Sequence, residues 1–340
     1  NALMDMYMKC IMCVQAQEVF EGLPVGDVNS QNVLIAGYTQ QGKVYEALNC
    51  FECMQIEGLS PDMVTFICIS KACGITRDIE MGKRIHEKIV NRSLLKKDIG
   101  VGNALIDMYA KCDALIEAHQ VLEELPIRNV ISWSALIAGY AQHGQGYEAL
   151  NCFEQMQNEG LFPDIITFLC ILKSCGSVGE IDKRKHIHNT IVCSGLLEKD
   201  ITLGNALVDM YCKCGMLEKA QLVLEGIPFR NVVSWNALIT GYVQQGRCHE
   251  ALNVFGLMQS EGFSPDAVTY LCALKACGCT GSIDNGNHIH VQVMTEKLLE
   301  KGTVLGNALV AMYVKCGLLA KAREVLEVLP IRNLVSWSAL

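Results

Sequence analysis

The chain repeats itself every 102 residues, and that period constrains its fold more than any other feature. Asn103-Ala104-Leu105-Ile106-Asp107-Met108-Tyr109 returns almost unchanged as Asn205 to Tyr211, and again as Asn307 to Tyr313 with Ala311 in place of the Asp. Ser132-Trp133-Ser134-Ala135-Leu136-Ile137 returns as Ser234 to Ile239, and Ser336 to Leu340 opens a third copy. All three Trp residues (Trp133, Trp235, Trp337) keep this spacing. A long fixed period marks a solenoid or array.

Each period divides into segments of 35, 36 and 31 residues. In the copy at 130–164, 165–200 and 201–231, every segment carries two apolar stretches at helical spacing around a polar or Gly break. Trp133, Leu136, Ile137 and Tyr140 mark one helix face; Gly144 and Gly146 make the turn. Ala149, Leu150, Phe153 and Met156 mark the next helix, which Gly160 and Pro163 end. Apolar residues at i, i+3, i+4 and i+7 predict amphipathic helix, and Gly or Pro beyond them predicts a stop. A helix pair this short cannot bury its own apolar face, so neighbouring pairs must stack. The predicted fold is all-α, a right-handed α-solenoid. The segments fall at 1–27, 28–62, 63–98, 99–129, 130–164, 165–200, 201–231, 232–266, 267–302, 303–333 and 334–340.

A hydrophobic content of 51% suits stacked helices with two buried faces. No run of about 18 apolar residues exists, so no membrane partner is expected. The chain begins at Asn1 and stops at Leu340 in mid-repeat, which reads as a piece of a longer protein whose targeting segment lies elsewhere.

The 18 cysteines raise the question of zinc or disulfides. Cys112, Cys214 and Cys316 are one repeat position seen three times, as are Cys73, Cys175 and Cys277, and Cys68, Cys170 and Cys272. Members of a set lie in different repeats and cannot share a metal, so they read as reduced packing thiols. Cys10-Ile11-Met12-Cys13 lacks the second pair that a zinc site needs. His86, His188 and His290 recur on one helix, with His186 and His288 two residues before the last two, on a different face, which argues for structural histidines. No metal, cofactor or catalytic residue is assigned. There is no Gly-rich phosphate loop and no nucleophile elbow. Nor is there the His-x-Glu with paired Cys that zinc deaminase chemistry requires. An enzyme is not expected, and a catalytic domain has its place beyond residue 340.

Val232-Val233-Ser234-Trp235-Asn236-Ala237-Leu238-Ile239-Thr240-Gly241-Tyr242, followed by Glu250-Ala251-Leu252, Phe255, Met258, Gly262 and Pro265-Asp266, resembles the pentatricopeptide repeat consensus over its full length. The 35, 36 and 31 alternation resembles the PLS subclass, with standard, long and short repeats, of plant organelle RNA-editing factors. A tetratricopeptide array would keep 34-residue units and a different Trp-Leu-Gly-Tyr pattern.

The resemblance implies one RNA base per repeat, read from a concave face by the fifth residue of a repeat and its last. An Asn at the fifth place reaches a pyrimidine, and Ser leaves room for a purine; Asp at the last place favours U and G, and Asn favours C. Asn1 with Asp27 and Asn32 with Asp62 then imply U. Asn103 with Asn129 implies C, Ser134 with Asp164 implies G, Asn205 with Asn231 implies C, Asn236 with Asp266 implies U, and Asn307 with Asn333 implies C. Ser338 opens a purine-reading repeat. Ile67 with Asp98, Leu169 with Asp200 and Leu271 with Gly302, in the long repeats, receive no base. The implied target is 5′-UUxCGxCUxC-purine-3′. Apolar second residues sandwich the bases in this family, and Val64, Ile131, Ile166, Val233, Val268, Val304 and Val335 match, whereas Asn29, Gly100 and Thr202 depart.

Helix capping is the competing role. Asn103, Asn205 and Asn307 have the composition of N-caps, and Asp62, Asp164 and Asp266 follow Pro where a cap or turn is common. Against that, the fifth residue alternates between Asn and Ser within a constant Trp, Ala, Leu and Ile frame, which suits readout. The net charge of −8 has the wrong sign for a generic nucleic-acid binder. It predicts weak affinity for unrelated RNA and strong dependence on sequence, since stacking and base-edge contacts can carry single-strand binding. The leading function implied by the resemblance is recognition of single-stranded organelle RNA for C-to-U editing in mitochondrion or chloroplast, with an editing deaminase or accessory editing proteins as partners. The alternative is a helical-repeat scaffold for protein–protein interaction.

Overall fold

The computed structural model describes residues 1–23, 26–176, 181–301, 303–329 and Trp337, and among them every regular element is helical. Two compact units divide the chain, Asn1–Ser174 and Cys175–Leu340. In the first, helices come in pairs: α1 (Ala2–Lys9) with α2 (Cys13–Glu21), α3 (Val28–Gln40) with α4 (Val44–Ile56), α5 (Met63–Thr76) with α6 (Ile79–Asn91), α7 (Ile99–Lys111) with α8 (Leu115–Glu124), and α9 (Val130–Gln142) with α10 (Gly146–Asn158). The next helix is α11 (Ile165–Cys175). In the second unit α12 (Ile181–Cys193) precedes the pairs α13 (Ile201–Lys213) with α14 (Leu217–Gly226), α15 (Val232–Gln244) with α16 (Cys248–Ser260), α17 (Ala267–Thr280) with α18 (Ile283–Thr295), and α19 (Thr303–Lys315) with α20 (Leu319–Val328).

Local sequence explains where these helices start and stop. Asp27, Asp62, Asn129, Asn231 and Asp266 are N-caps whose side chains accept the N–H of a Ser or Thr three residues on. That hydroxyl in turn accepts the cap's own N–H, so each makes a reciprocal capping box. Gly144 at φ +73° closes the turn from α9 to α10, and Gly160 at φ +74° ends α10, in a region that favours glycine. Short 3₁₀ turns at Leu94–Lys96, Leu196–Glu198 and Leu298–Lys301 follow α6, α12 and α18.

Within each unit the first helices of successive pairs pack on one another, α1 to α3, α5, α7 and α9, and α13 to α15, α17 and α19. The second helix of a pair packs on its partner and on the next first helix. Trp133, Leu136 and Ile137 of α9 and Ala149, Phe153 and Met156 of α10 are all buried. Each large apolar side chain so placed stabilises by about 1.5–3 kcal/mol. One aromatic contact recurs at the junction to the next pair, Phe51 with Phe66, Phe153 with Phe168 and Phe255 with Tyr270, at ring-centroid distances of 5.9–6.4 Å. Close approach of the first helices depends on Gly37, Gly139 and Gly241, one repeat position seen three times. A Cβ on Gly139 would stand 2.7 Å from the Ala110 Cβ. The predicted stacking of helix pairs is the observed architecture.

The recurring His and Cys residues have structural partners. His86, His188 and His290 Nδ1 lie 2.9, 2.6 and 2.9 Å from the hydroxyls of Tyr109, Tyr211 and Tyr313. The Cys112, Cys214 and Cys316 thiols donate to the Cys73, Cys175 and Cys277 carbonyls at 3.8–3.9 Å. All 18 cysteines are free thiols, and burial pushes those of Cys73, Cys175 and Cys277 up to about 12. Among the described residues no cluster of three or more His, Cys, Asp or Glu could hold a metal, and no helix is long and apolar enough to cross a membrane.

Candidate nucleic-acid interface

The N-terminal turn of each first helix carries a fixed arrangement. Positions two and five are three residues apart and share a face. Val64, Ile131, Ile166, Val233, Val268 and Val304, at position two, are between 50% and 64% exposed, although all are apolar. Position three points the opposite way: Ser30 is 1% exposed, and Thr65, Ser132, Thr167, Ser234 and Thr269 are 0% exposed. An exposed apolar residue therefore stands three places before Ile67, Ser134, Leu169, Asn236, Leu271 and Asn307, each half-buried or buried one turn deeper into the helix, whereas Asn29, Gly100 and Thr202 hold that place before Asn32, Asn103 and Asn205.

Packing of adjacent first helices brings the fifth residue of a segment to its last, which caps the next first helix. Asn32 Nδ2 donates to Asp62 Oδ1 at 2.9 Å, and Asn236 Nδ2 donates to Asp266 Oδ1 at 3.0 Å. Ser134 Oγ lies 3.5 Å from Asp164 Oδ1. The Ser30 N–H and hydroxyl lower the Asp27 carboxyl, with a smaller lowering from the Asn1 side chain. In the segments of Asn103 with Asn129 and Asn205 with Asn231 a hydroxyl bridges instead. Ser132 Oγ lies 2.7 Å from Asn103 Oδ1 and 2.9 Å from Asn129 Oδ1, and Ser234 Oγ lies 2.6 Å from Asn205 Oδ1 and 3.1 Å from Asn231 Oδ1. Burial pushes the Asp62 and Asp266 carboxyls up, but hydrogen bonds from the Thr65 and Thr269 N–H groups and from Asn32 and Asn236 outweigh it, holding both below 3.8.

Capping and pairing thus belong to the same last residue. Asp62, Asn129, Asn231 and Asp266 do cap helices. Asn103 and Asn205, in contrast, lie inside α7 and α13 and are not N-caps; Asn307 lies inside α19. Asn333, Ser338, Val335 and Gly302 fall outside the described residues. In the long segments Ile67, Leu169 and Leu271 are half-buried and apolar. Asp98 and Asp200 cap α7 and α13 through N–H groups only two residues on, those of Gly100 and Thr202.

Two sets of residues on these helices escaped sequence reasoning. One is the buried hydroxyl at position three. The other is a set of exposed lysines on the face of positions two and five, Lys71, Lys173 and Lys275 on the long-segment helices and Lys111, Lys213 and Lys315 on the short-segment helices. Asp107 and Asp209 pair with Lys111 and Lys213 at 2.7 and 2.6 Å, whereas Ala311 replaces the Asp one turn before Lys315. Their recurrence at 102 residues was the available signal. They place positive charge on this face in a chain of net charge −8.

A model of the PPR repeat family matches residues 26–74, 128–177 and 230–279, and a PPR repeat model matches 103–130, 205–231 and 307–333, together more than half of the chain. Two chloroplastic pentatricopeptide repeat-containing proteins of Arabidopsis thaliana are similar to the whole chain at 34% and 35% identity, which spans 42% and 55% of their lengths. A mitochondrial one of the same plant is 35% identical over 360 residues, and the chain spans 39% of it. Among solved structures, the pentatricopeptide repeat protein PPR10 in complex with an 18-nt psaJ RNA element superposes with a TM-score of 0.77 at 19% identity. That match covers 99% of this chain and 51% of the other.

Proposed function

For a chain that belongs to the pentatricopeptide repeat family, as this one does, we propose sequence-specific binding of single-stranded RNA, one base per segment. The observation that carries the reading is the recurring pair of fifth and last side chains beside an exposed apolar second residue. In the Asn/Asp segments the cap contacts converge on one carboxylate oxygen, Oδ1 of Asp62 or Asp266. The other oxygen is then the acceptor offered to a base, and the second amide hydrogen of Asn32 or Asn236 is the donor. Uracil complements this pair, with an N–H to give and carbonyls to receive. In the segments of Asn103 with Asn129 and Asn205 with Asn231, each Asn Oδ1 is taken by a Ser hydroxyl or N–H. Two amide donors remain, which suits the adjacent acceptors of cytosine. Ser134 beside Asp164 leaves room and an acceptor for the N–H groups of guanine. Exposed valines and isoleucines supply apolar surface against base faces, and the lysines supply charge for phosphates.

The segment boundaries at the capping residues define the reading frame, and the target is 5′-UUxCGxCUxC-purine-3′. The 35, 36 and 31 alternation supports site recognition for organelle C-to-U editing, with a deaminase or accessory editing proteins as partners, in chloroplast or mitochondrion, the locations named for its relatives. Binding is tested with the oligonucleotide 5′-UUACGACUACA-3′ against a scrambled RNA of equal composition. Equal affinity for both removes sequence recognition and leaves protein scaffolding as the better account. Editing is tested by deleting the gene and sequencing organelle transcripts; loss of editing at a site following such a sequence is the expected outcome, and an unchanged editing pattern rejects it.

A further inference from the structure

We infer that, where the fifth residue of a segment is polar, the buried Ser or Thr at position three of the next segment sets which base the first one reads, by locking the orientation of that fifth side chain. The inference rests on the base-reading function just proposed and assigns specificity to a residue that no base can touch.

The geometry leaves little choice of proton. Thr269 Oγ1 accepts the Asp266 N–H at 3.1 Å, so its single hydrogen goes to Asn236 Oδ1 at 2.6 Å or to Asp266 Oδ1 at 2.9 Å. The shorter contact selects Asn236. Asp266 Oδ1 is already supplied by the Thr269 N–H and by Asn236 Nδ2. Thr65 repeats the arrangement at Asn32 with 2.6 Å. Ser132 and Ser234 make the corresponding contacts to Asn103 and Asn205 at 2.7 and 2.6 Å. With Oδ1 held inward by a hydroxyl, the amide nitrogen faces outward, and the fifth residue presents a donor. A free amide could turn over and present its carbonyl instead, exchanging donor for acceptor at the base. Where the fifth residue is Ser134, the hydroxyl of Thr167 lies 2.5 Å from it and 2.6 Å from Asp164 Oδ1, so the two hydroxyls are joined with either as the donor.

The sequence carries an independent mark of this coupling. The segments following Asn1, Asn32, Asn103, Ser134, Asn205 and Asn236 have Ser30, Thr65, Ser132, Thr167, Ser234 and Thr269 at position three. Those following Ile67, Leu169 and Leu271 have Val101, Leu203 and Leu305, all buried. The hydroxyl is present where there is a polar side chain to orient, and absent where there is none. The same segments differ in their caps, since α7 and α13 are capped through N–H groups two residues on, and base preference is the readout that separates orientation from capping.

The test compares Thr269→Val, close in shape but without the hydroxyl, with Thr269→Ser, which restores it. Each 340-residue protein is titrated with 5′-UUACGACUACA-3′ and with versions carrying C at the eighth base or U at the seventh, and thermal melting is followed in parallel. The parent prefers U at the eighth base by about tenfold or more, within the usual range for a mismatched base. Thr269→Val reduces that preference to about twofold or less and leaves the preference for C at the seventh base, read by Asn205 and Asn231, intact. Thr269→Ser retains both. Ser234→Ala gives the mirror image, losing discrimination at the seventh base alone. A parent without preference removes the base-reading function, and the inference with it. A parent with preference that Thr269→Val and Ser234→Ala both retain overturns the inference alone, as does a loss spread equally over both bases in a variant that melts with the parent.

Discussion

Asp266 sits where folding and recognition share one carboxylate, and two substitutions separate them. Its Oδ1 receives the Thr269 N–H at 2.9 Å and Asn236 Nδ2 at 3.0 Å. Asp266→Ala deletes both bonds. Loss of the cap costs about 1 kcal/mol, and the amide of Asn236, which is buried, loses its partner for about 1–2 kcal/mol more, so the whole change costs about 2–3 kcal/mol. Asp266→Asn keeps an Oδ1 for the Thr269 N–H, and Asn caps about as well as Asp, so it costs about 0.5 kcal/mol or less. Both are read from urea unfolding followed by circular dichroism. The sign of the pH dependence follows from the hydrogen bonds, which outweigh burial and hold the folded carboxyl below its ordinary 3.8. Its contribution is complete above pH 3.8 and is lost as pH falls through the lower folded value. The gap between parent and Asp266→Ala is therefore full at pH 7 and narrows in strong acid. Equal destabilisation by Ala and Asn at pH 7, or a gap that widens in acid, refutes the assignment of Asp266 as cap and pairing partner.

Other perturbations test the packing. Gly139→Ala drives a Cβ against Ala110, whose own Cβ cannot move without its helix, and is expected to cost about 1–3 kcal/mol by urea unfolding; a neutral result contradicts the close contact of α7 and α9. His86, His188 and His290 are held below 6.5 by burial. Stability is thus complete above pH 6.5 and declines as pH falls through the lower folded values, and a variant with all three replaced by Gln should show a flatter profile between pH 7 and 5. Iodoacetamide should label exposed Cys10, Cys53, Cys193 and Cys279 before buried Cys73, Cys175 and Cys277. The reverse order, read by mass spectrometry, contradicts the burial of the recurring thiols.

Helix pairing was legible because Trp133, Leu136, Ile137 and Tyr140 repeat at helical spacing and Gly144 and Gly160 fall where the chain must turn. Pairing of fifth with last residues reached the sequence only through family resemblance, since Asn32 and Asp62 meet across two packed helices and no local pattern joins them. Composition alone left Asn103 and Asp62 as rival caps. Geometry gives the cap to Asp62 and sets Asn103 one turn inside α7, because a cap must precede the first helical residue. Thr65 and Thr269 carry no local mark in the sequence, and Ser132 appears only as part of a repeated motif. Their contact with a side chain about 30 residues earlier appears only when adjacent first helices are packed. Lys71 and Lys275 were hidden in the same way, by a net charge that says nothing about which face carries it.

The central claim is that paired side chains on adjacent first helices read successive RNA bases. Its most direct test is the affinity of the parent and of the double variant Asn231→Asp with Asp266→Asn for RNA carrying CU or UC at the seventh and eighth bases. The parent should prefer CU, with each exchanged base costing about 1–3 kcal/mol, and the double variant should prefer UC. Folded proteins that bind both RNAs equally, or a double variant that keeps the parent's preference, would contradict it.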